Sequence, residues 1–294
     1  MPDEVAIASL ESKKQALYAN LRSAGRLMVA YSGGTDSAYL AYAAHQVLGA
    51  EMLAVIADSP SLSRAHLRDA VDFAKSQGIP LRVIDTHELE DVEYVRNDSS
   101  RCFHCKDELF KVMSETGGPL QFTAVAYGMN ADDRGDFRPG QKAAANHKVL
   151  APLAEVGLTK EEIRTLAREA GLRVWDKPAS ACLSSRIAYG LPVTRETLES
   201  IEKGEEVLFS MGFRQFRVRH HGELVRIEIA REELARMLSL AMFEQASAAL
   251  KRLGYKYVTL DLEGYRSGSM NALLPISEIG LIGAKPSTTS DGVN

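Results

Sequence analysis

AYSGGTDSA, running from Ala30 to Ala38, follows a strand-like run, RLMVAY (Arg26 to Tyr31), and opens a helix-patterned stretch, YLAYAAHQVL. Adjacent Gly33 and Gly34 let the backbone turn sharply and bring its N–H groups close to an anion, and the new helix adds its positive end. The hydroxyls of Ser32 and Ser37 are placed to donate to the same anion, with Thr35 between them. An ionised Asp36 cannot donate to phosphate; it suits orienting the loop or holding Mg2+ beside the phosphates. Neither GxxxxGK[ST] nor GxGxxG occurs in the chain. A plain Gly-Gly turn with a Ser cap is the alternative, and the strand–loop–helix setting argues for an anion site instead.

Outward from this loop, three further β-rich runs alternate with helical patterns: EMLAVIA (Glu51 to Ala57), PLRVI (Pro80 to Ile84) and QFTAVAYG (Gln121 to Gly128). That order predicts a parallel, doubly wound α/β sheet. One predicted helix presents Leu67, Ala70, Val71 and Ala74 on one face and stops near Gly78; a later one starts at a Thr159/Glu162 capping box and ends before Gly171. Beyond LPVTRE the pattern becomes helix, hairpin, helix, strand. FRQFRVRH and ELVRIEIA flank a turn at His221-Gly222, with His220 and His221 read as turn residues, and one helix is expected from about Glu232 to Leu250 before YKYVTLDL. The expected division is an α/β domain over 1–190, a smaller α+β domain over 191–275 for substrate or oligomerisation, and a disordered tail over 276–294.

The 294 residues are 45% hydrophobic and 25% charged, which suits a globular protein of about two domains. With 35 Lys+Arg against 39 Asp+Glu, the net charge of −4 argues against a surface built for nucleic acid. No run approaches the roughly 20 apolar residues of a membrane helix, and the start MPDEVAIASL lacks the order of a secretory signal. A cytoplasmic protein is expected. Three cysteines are too few for a disulfide scaffold, so their role is expected to be chemical.

RCFHCK places Cys102 and Cys105 three positions apart, and Cys182 lies in KPASACLSSR. In a parallel sheet the loops after successive strands gather at one edge, where these thiols and the glycine loop can meet. Three thiolates suit a [4Fe-4S] cluster with one open iron; zinc with His104, a redox CxxC and inert buried cysteines are the other readings.

SGGTDS resembles the PP-loop of the ATP pyrophosphatases, which implies an adenine nucleotide alpha hydrolase-like fold and cleavage of ATP between the α- and β-phosphates. Together with KPASACLSSRIAYG, RCFHCK, YGMNADD and DFRPGQKAA, and on to GYRSGSMN, the chain closely resembles the ATP-dependent sacrificial sulfur transferases, the LarE family. The resemblance implies ATP and Mg2+ as cofactors. It also implies adenylation of the carboxylates of pyridinium-3,5-biscarboxylic acid mononucleotide and their conversion to thiocarboxylates for the nickel-pincer cofactor of lactate racemase. In single-cysteine members the residue matching Cys182 gives up its sulfur and becomes dehydroalanine. Cys102 and Cys105 make this chain resemble the three-cysteine members, for which a [4Fe-4S] cluster fed by a sulfide donor is proposed.

The expected roles follow. Ser32, Gly33, Gly34, Thr35, Asp36, Ser37, Asp58, Gly128 and Asn130 serve the nucleotide, with Asp132 or Asp133 also able to hold Mg2+. Cys182, Asp36 and Lys106 serve catalysis, and Lys106 or Lys177 would neutralise pyrophosphate or keep a thiol ionised. Arg217 and Arg219 share one face of a strand and, with Arg266, suit a fork around the substrate phosphate. The resemblance adds Ser185 and Arg186, with Glu206 and Glu228 as weaker metal contacts. A homo-oligomer is expected. A tRNA thiolase with the same loop would need a broad basic groove, and an adenine-nucleotide sensor would need the loop but not the thiols.

Overall fold

The computed structural model describes residues 2–134, 139–178, 181–266 and 270. Helix α1 (Pro2–Ser23) leads to β1 (Leu27–Ala30), and then α2 (Thr35–Leu48), β2 (Met52–Asp58), α3 (Arg64–Ser76) and β3 (Leu81–Asp85) follow. After β3 come the single turn α4 (Val92–Val95), α5 (Arg101–Gly117), β4 (Ala124–Tyr127), α6 (Pro139–Asn146), α7 (Pro152–Glu155) and α8 (Lys160–Glu169). All four strands are parallel in the order β3-β2-β1-β4. Chain order reverses at β1, so the loops after β1 and β4 leave opposite sides of a crevice, the position where open α/β sheets bind ligands.

Alternation along the strands explains the two apolar layers. Leu27 and Val29 of β1, with Met52, Ala54 and Ile56 of β2, pack against Leu17, Tyr39, Phe73 and Ile163 from α1, α2, α3 and α8. Met28, Ala30 and Val55 point the other way, onto Phe110 and Met113 of α5 and Ala143 and Ala144 of α6. Helices thus cover both faces, as the apolar runs require. The expected punctuation of α3 and α8 is present. Gly78 and Gly171 carry positive φ just past the helix ends, and Thr159 and Glu162 form a reciprocal capping box.

A second, smaller sheet follows helix α9 (Arg195–Ser210): β5 (Phe216–His221) and β6 (Leu224–Ile229) are antiparallel, and β7 (Tyr257–Leu260) joins β6 in parallel. Its core holds Leu208, Phe213, Val218, Val225, Ile227 and Leu250. Helix α9 also reaches the first unit, because Leu198 and Ile201 pack with Tyr94, Leu183 and Ile187.

Two expectations change here. His220 and His221 are strand residues paired with Val225 and Leu224, and the turn is Gly222-Glu223, with Gly222 at positive φ. The single helix expected from Glu232 to Leu250 is two, α10 (Arg231–Met237) and α11 (Leu240–Arg252). Ser239 restarts it by accepting a hydrogen bond from Met242 N–H, an N-cap that a continuous apolar pattern conceals. The expected tail, 276–294, lies outside the described residues, as do Gly135–Arg138 of DFRPGQKAA, Ala179 and Ser180 of KPASAC, and 267–269 of GYRSGSMN. Among the described residues no helix is long and apolar enough to cross a membrane.

Candidate active site

The glycine loop leaves β1 and enters α2. Gly33 sits at φ +73, and a Cβ there would lie 2.6 Å from the Ala70 Cβ, so only glycine fits against α3. Gly34 differs. Its backbone is extended, it caps α2 without any side-chain hydrogen bond, and the nearest atom to a Cβ placed there is Ser32 Oγ at 3.6 Å. Packing within the chain does not demand this glycine; what its missing side chain leaves clear is the mouth of a helix N-terminus, where an anion is favoured.

Hydroxyls knit the loop. Ser37 Oγ accepts from Ser32 N–H at 3.1 Å, lies 3.0 Å from Ser32 Oγ and donates to Gly34 O at 3.1 Å. Ser32 is exposed, whereas the Thr35 hydroxyl is spent on Val174 O at 2.8 Å, away from the expected phosphate role. Across the crevice, Asn130 donates from Nδ2 to Asp36 Oδ2 at 2.9 Å. The second carboxylate oxygen, Asp36 Oδ1, is buried without a hydrogen-bond partner among the described residues. Burial raises the Asp36 pKa against the hydrogen bond from Asn130 and the charge of Lys160. A buried oxygen left open beside an anion cradle is what a Mg2+ riding on phosphates would use.

Gly128 is required for another reason than approach to a ring: a Cβ there would meet Ser37 N at 2.8 Å, so it lets β4 close against the start of α2. Asp132 accepts from Lys160 N–H at 2.8 Å, and Asp133 accepts from Asn130 N–H at 3.3 Å, so both serve as caps. Asp58, at the end of β2, is gripped by the Arg64 guanidinium. The cap of α3 is Ser63, which accepts from His66 N–H.

Cys182 is assembled from segments far apart in sequence. The loop after β2 receives it, with Leu183 N–H donating to Ser61 O at 2.8 Å. Buried Tyr94 lies 2.5 Å from Ser61 Oγ through its hydroxyl, and Cys182 Sγ is 3.1 Å from Ser184 Oγ. Arg101, almost wholly buried at the start of α5, donates to Ser184 O at 2.9 Å and to Asn97 Oδ1. Asn97, itself at φ 58, donates to Ala188 O and Leu191 O. On the other side, buried Arg186 donates to Ala181 O and Cys182 O and pairs with Glu205 at 2.9 Å, and Ser185 Oγ donates to Cys182 O at 2.7 Å.

This surrounding divides the thiols electrostatically. Burial alone would raise the Cys182 pKa, but the charge of Arg101, the hydrogen bond with Ser184, the charge of Arg186 and the Ser185 N–H outweigh it, so the thiol lies below its ordinary value. Burial pushes Cys102 and Cys105 up, and the charge of Cys182 adds to both. Cys102 is nevertheless solvent-exposed, the combination a cleft wall gives. Cys105 packs beside Tyr94 and Leu183. The Lys106 ammonium stands 4.9 Å from the Tyr127 ring centroid. The thiols are therefore near enough to feel one another, but among the described residues no three His, Cys, Asp or Glu side chains converge as a metal-ligand group.

The expected phosphate fork in the small sheet is differently employed. Arg219 is buried and forks onto Glu228 Oε2 at 2.9 and 2.8 Å; Arg226 takes Glu228 Oε1 at 3.1 Å. Glu228 is wholly buried between those two guanidinium groups, and Glu206 is exposed. Arg217 stacks 4.8 Å from the Tyr265 ring centroid, and half-exposed Arg266 pairs with Glu263 and Asp261. Cross-strand register decides these pairings, and one strand read alone does not give it. Arg101, Asn97, Tyr94 and Ser61 carried no expected role. Their signal, an Arg immediately before a CxxC, becomes readable only when the fold brings Ser184 to it.

A parallel sheet of order 3-2-1-4 with a strand–glycine loop–helix anion cradle, and no Walker lysine, defines a protein of the PP-loop class. No protein-family model matches the chain. A glutamine-hydrolyzing GMP synthase of Sulfurisphaera tokodaii has a polypeptide 28% identical over 170 residues, covering 50% of this chain and 44% of that protein. The uncharacterized protein slr1717 of Synechocystis is 38% identical over 265 residues, 90% of this chain and 99% of its own length. The pyridinium-3,5-bisthiocarboxylic acid mononucleotide synthase of Lactiplantibacillus plantarum is 32% identical over 274 residues, 93% of this chain and 99% of that enzyme. The chain belongs to the family of that synthase, the LarE family.

Proposed function

We propose that the protein is an ATP-dependent sulfurtransferase that adenylates the carboxylates of pyridinium-3,5-biscarboxylic acid mononucleotide and converts them to thiocarboxylates for the nickel-pincer cofactor. End-to-end similarity to the Lactiplantibacillus synthase supports the substrate. The observation that carries the chemistry is a cysteine, Cys182, held below the ordinary thiol pKa by two arginines at the same sheet edge as the anion cradle.

Activation comes first. A carboxylate oxygen of the substrate attacks the α-phosphorus of ATP, pyrophosphate leaves, and the acyl carbon gains AMP as a leaving group. The open N-terminus of α2 and the Ser32 hydroxyl receive the phosphates, while Asp36 Oδ1 would hold Mg2+, which neutralises the departing pyrophosphate. A free carboxylate would repel an incoming thiolate and has no comparable leaving group. The Cys182 thiolate then attacks the adenylated carbon, AMP departs with the bonding pair, and a thioester forms. Cleavage of the Cys182 Cβ–Sγ bond, with the Cα proton passing to a base, leaves the thiocarboxylate and a dehydroalanine.

Cys102, Cys105 and Cys182 would hold a [4Fe-4S] cluster with an iron open to an external sulfide. Three thiols at one edge are the right donor chemistry, but they do not converge as a closed ligand set among the described residues, and no step is derived through iron. We read 191–275 as the substrate and oligomerisation unit, with the boundary near residue 190, and the protein as a cytoplasmic homo-oligomer.

Anaerobic incubation with ATP and the mononucleotide, read by mass spectrometry, should yield AMP, pyrophosphate and a sulfur-bearing product. Intact ATP and unchanged mononucleotide would overturn the reading. Iron retained after anaerobic reconstitution would support the cluster; a colourless, iron-free protein would remove it.

A further inference from the structure

We infer that His66 and Lys177 are positioning residues that hold two successive carbonyls of the glycine loop outward, and so aim the Gly33 and Gly34 N–H groups at the phosphates. This rests on the reading of the loop as the ATP site. His66 Nε2 lies 2.8 Å from Ser32 O, and Lys177 Nζ donates to Gly33 O at 3.0 Å. Across a trans peptide the C=O and the next N–H point in opposite directions. Anchoring Ser32 O on His66 therefore turns Gly33 N–H away from α3, and anchoring Gly33 O on Lys177 turns Gly34 N–H away from that lysine. Neither N–H is engaged among the described residues.

The clamp is itself held. Asp69 takes the Lys177 ammonium at 2.5 Å and Arg173 at 3.2 Å. Ala70, one residue on, is the back wall against which only a glycine fits at position 33, and Tyr31 fixes that wall by donating to Ala70 O at 2.9 Å. Lys177 thus works behind the loop. A lysine that met pyrophosphate directly would be on the other side of the peptide it holds. Preorganised donors bind an anion without reorganising, which is the advantage a clamp supplies.

The two roles give opposite signs for one substitution. Asp69→Asn removes a negative charge near the phosphate site, so if Lys177 acts by charge alone, nucleotide should bind more tightly. If Lys177 must be held in place, binding should weaken. The probe is α,β-methylene-ATP, which the α–β cleavage cannot consume, titrated against the purified protein by calorimetry. The clamp predicts a loss of affinity of about three- to tenfold for Asp69→Asn and about tenfold or more for Lys177→Met, the scale of losing an ordered donor pair. His66→Ala should weaken binding, and His66→Gln, which keeps a donor, should recover part of it. Urea melts establish that each variant is folded at the titration temperature. Tighter binding in Asp69→Asn, or wild-type affinity in Lys177→Met, overturns the clamp. Failure of the wild-type protein to bind the analogue would instead overturn the ATP reading beneath it.

Discussion

The glycine loop and the Cys182 pocket are made by opposite means. The loop is local: nine consecutive residues, AYSGGTDSA, carry the strand end, the turn and the helix start, and backbone N–H groups do the binding. The pocket is collected from Ser61, from Tyr94 to Arg101, and from Cys182 to Arg186, and it works through side chains buried away from water. A backbone site tolerates changes around it but not at its glycines. A side-chain site depends on every buried partner, since a polar group left alone there keeps its full desolvation cost.

The largest effect expected from this contrast is at the thiol itself. Cys182→Ala should lower thiocarboxylate formation by about a thousandfold or more, the loss of a covalent nucleophile, and leave α,β-methylene-ATP binding within about twofold. A parallel loss of nucleotide binding would show that the two regions are not separable. Next, Arg101→Met leaves Asn97 Oδ1 and Ser184 O without their charged donor and should cost about 3 kcal/mol in urea denaturation. Unchanged stability would remove Arg101 as the pin between α5 and the Cys182 segment.

The two glycines sharpen the comparison within the loop. Gly33→Ala meets both a positive φ and the Ala70 Cβ, and should cost about 2 kcal/mol of stability. Gly34→Ala should stay within about 0.5 kcal/mol, as substitutions without steric conflict do, yet still weaken analogue binding because its methyl stands in the anion's path. Equal stability losses at both would contradict the division between packing and ligand roles.

Smallest is the ordering of the thiols by pH. Only the thiolate is alkylated, and a depressed pKa extends the thiolate to lower pH. Iodoacetamide labelling followed by peptide mass spectrometry should therefore place the Cys182 midpoint below the free-cysteine value of about 8.5 and the Cys105 midpoint above it. Arg101→Met should move the Cys182 midpoint upward. The reverse order would show that burial outweighs the two arginines.

The same contrast explains what could be read from the chain. The four parallel strands, the capping box at Thr159 and the stop at Gly78 were legible because apolar period and helix-end chemistry act over a few residues. The anion loop was legible for that reason too. Helix α10 runs into α11 at Leu238 and Leu240, which are 56% and 73% exposed, so the apolar pattern continues through a break that Ser239 makes. Arg219 reads as a phosphate fork along its own strand; only the pairing of β5 with β6 reveals Glu228 waiting for it. Likewise, nothing local ties Arg101 to Ser184, 83 positions later.

The division of labour between loop and thiol is tested most directly by trapping the intermediate between them. Cys182→Ala incubated anaerobically with ATP, Mg2+ and the mononucleotide should accumulate the acyl adenylate, detected as the substrate mass plus AMP with pyrophosphate released and no sulfur-bearing product. Formation of thiocarboxylate by that variant, or sulfur product from the wild-type protein without any AMP, would contradict the account.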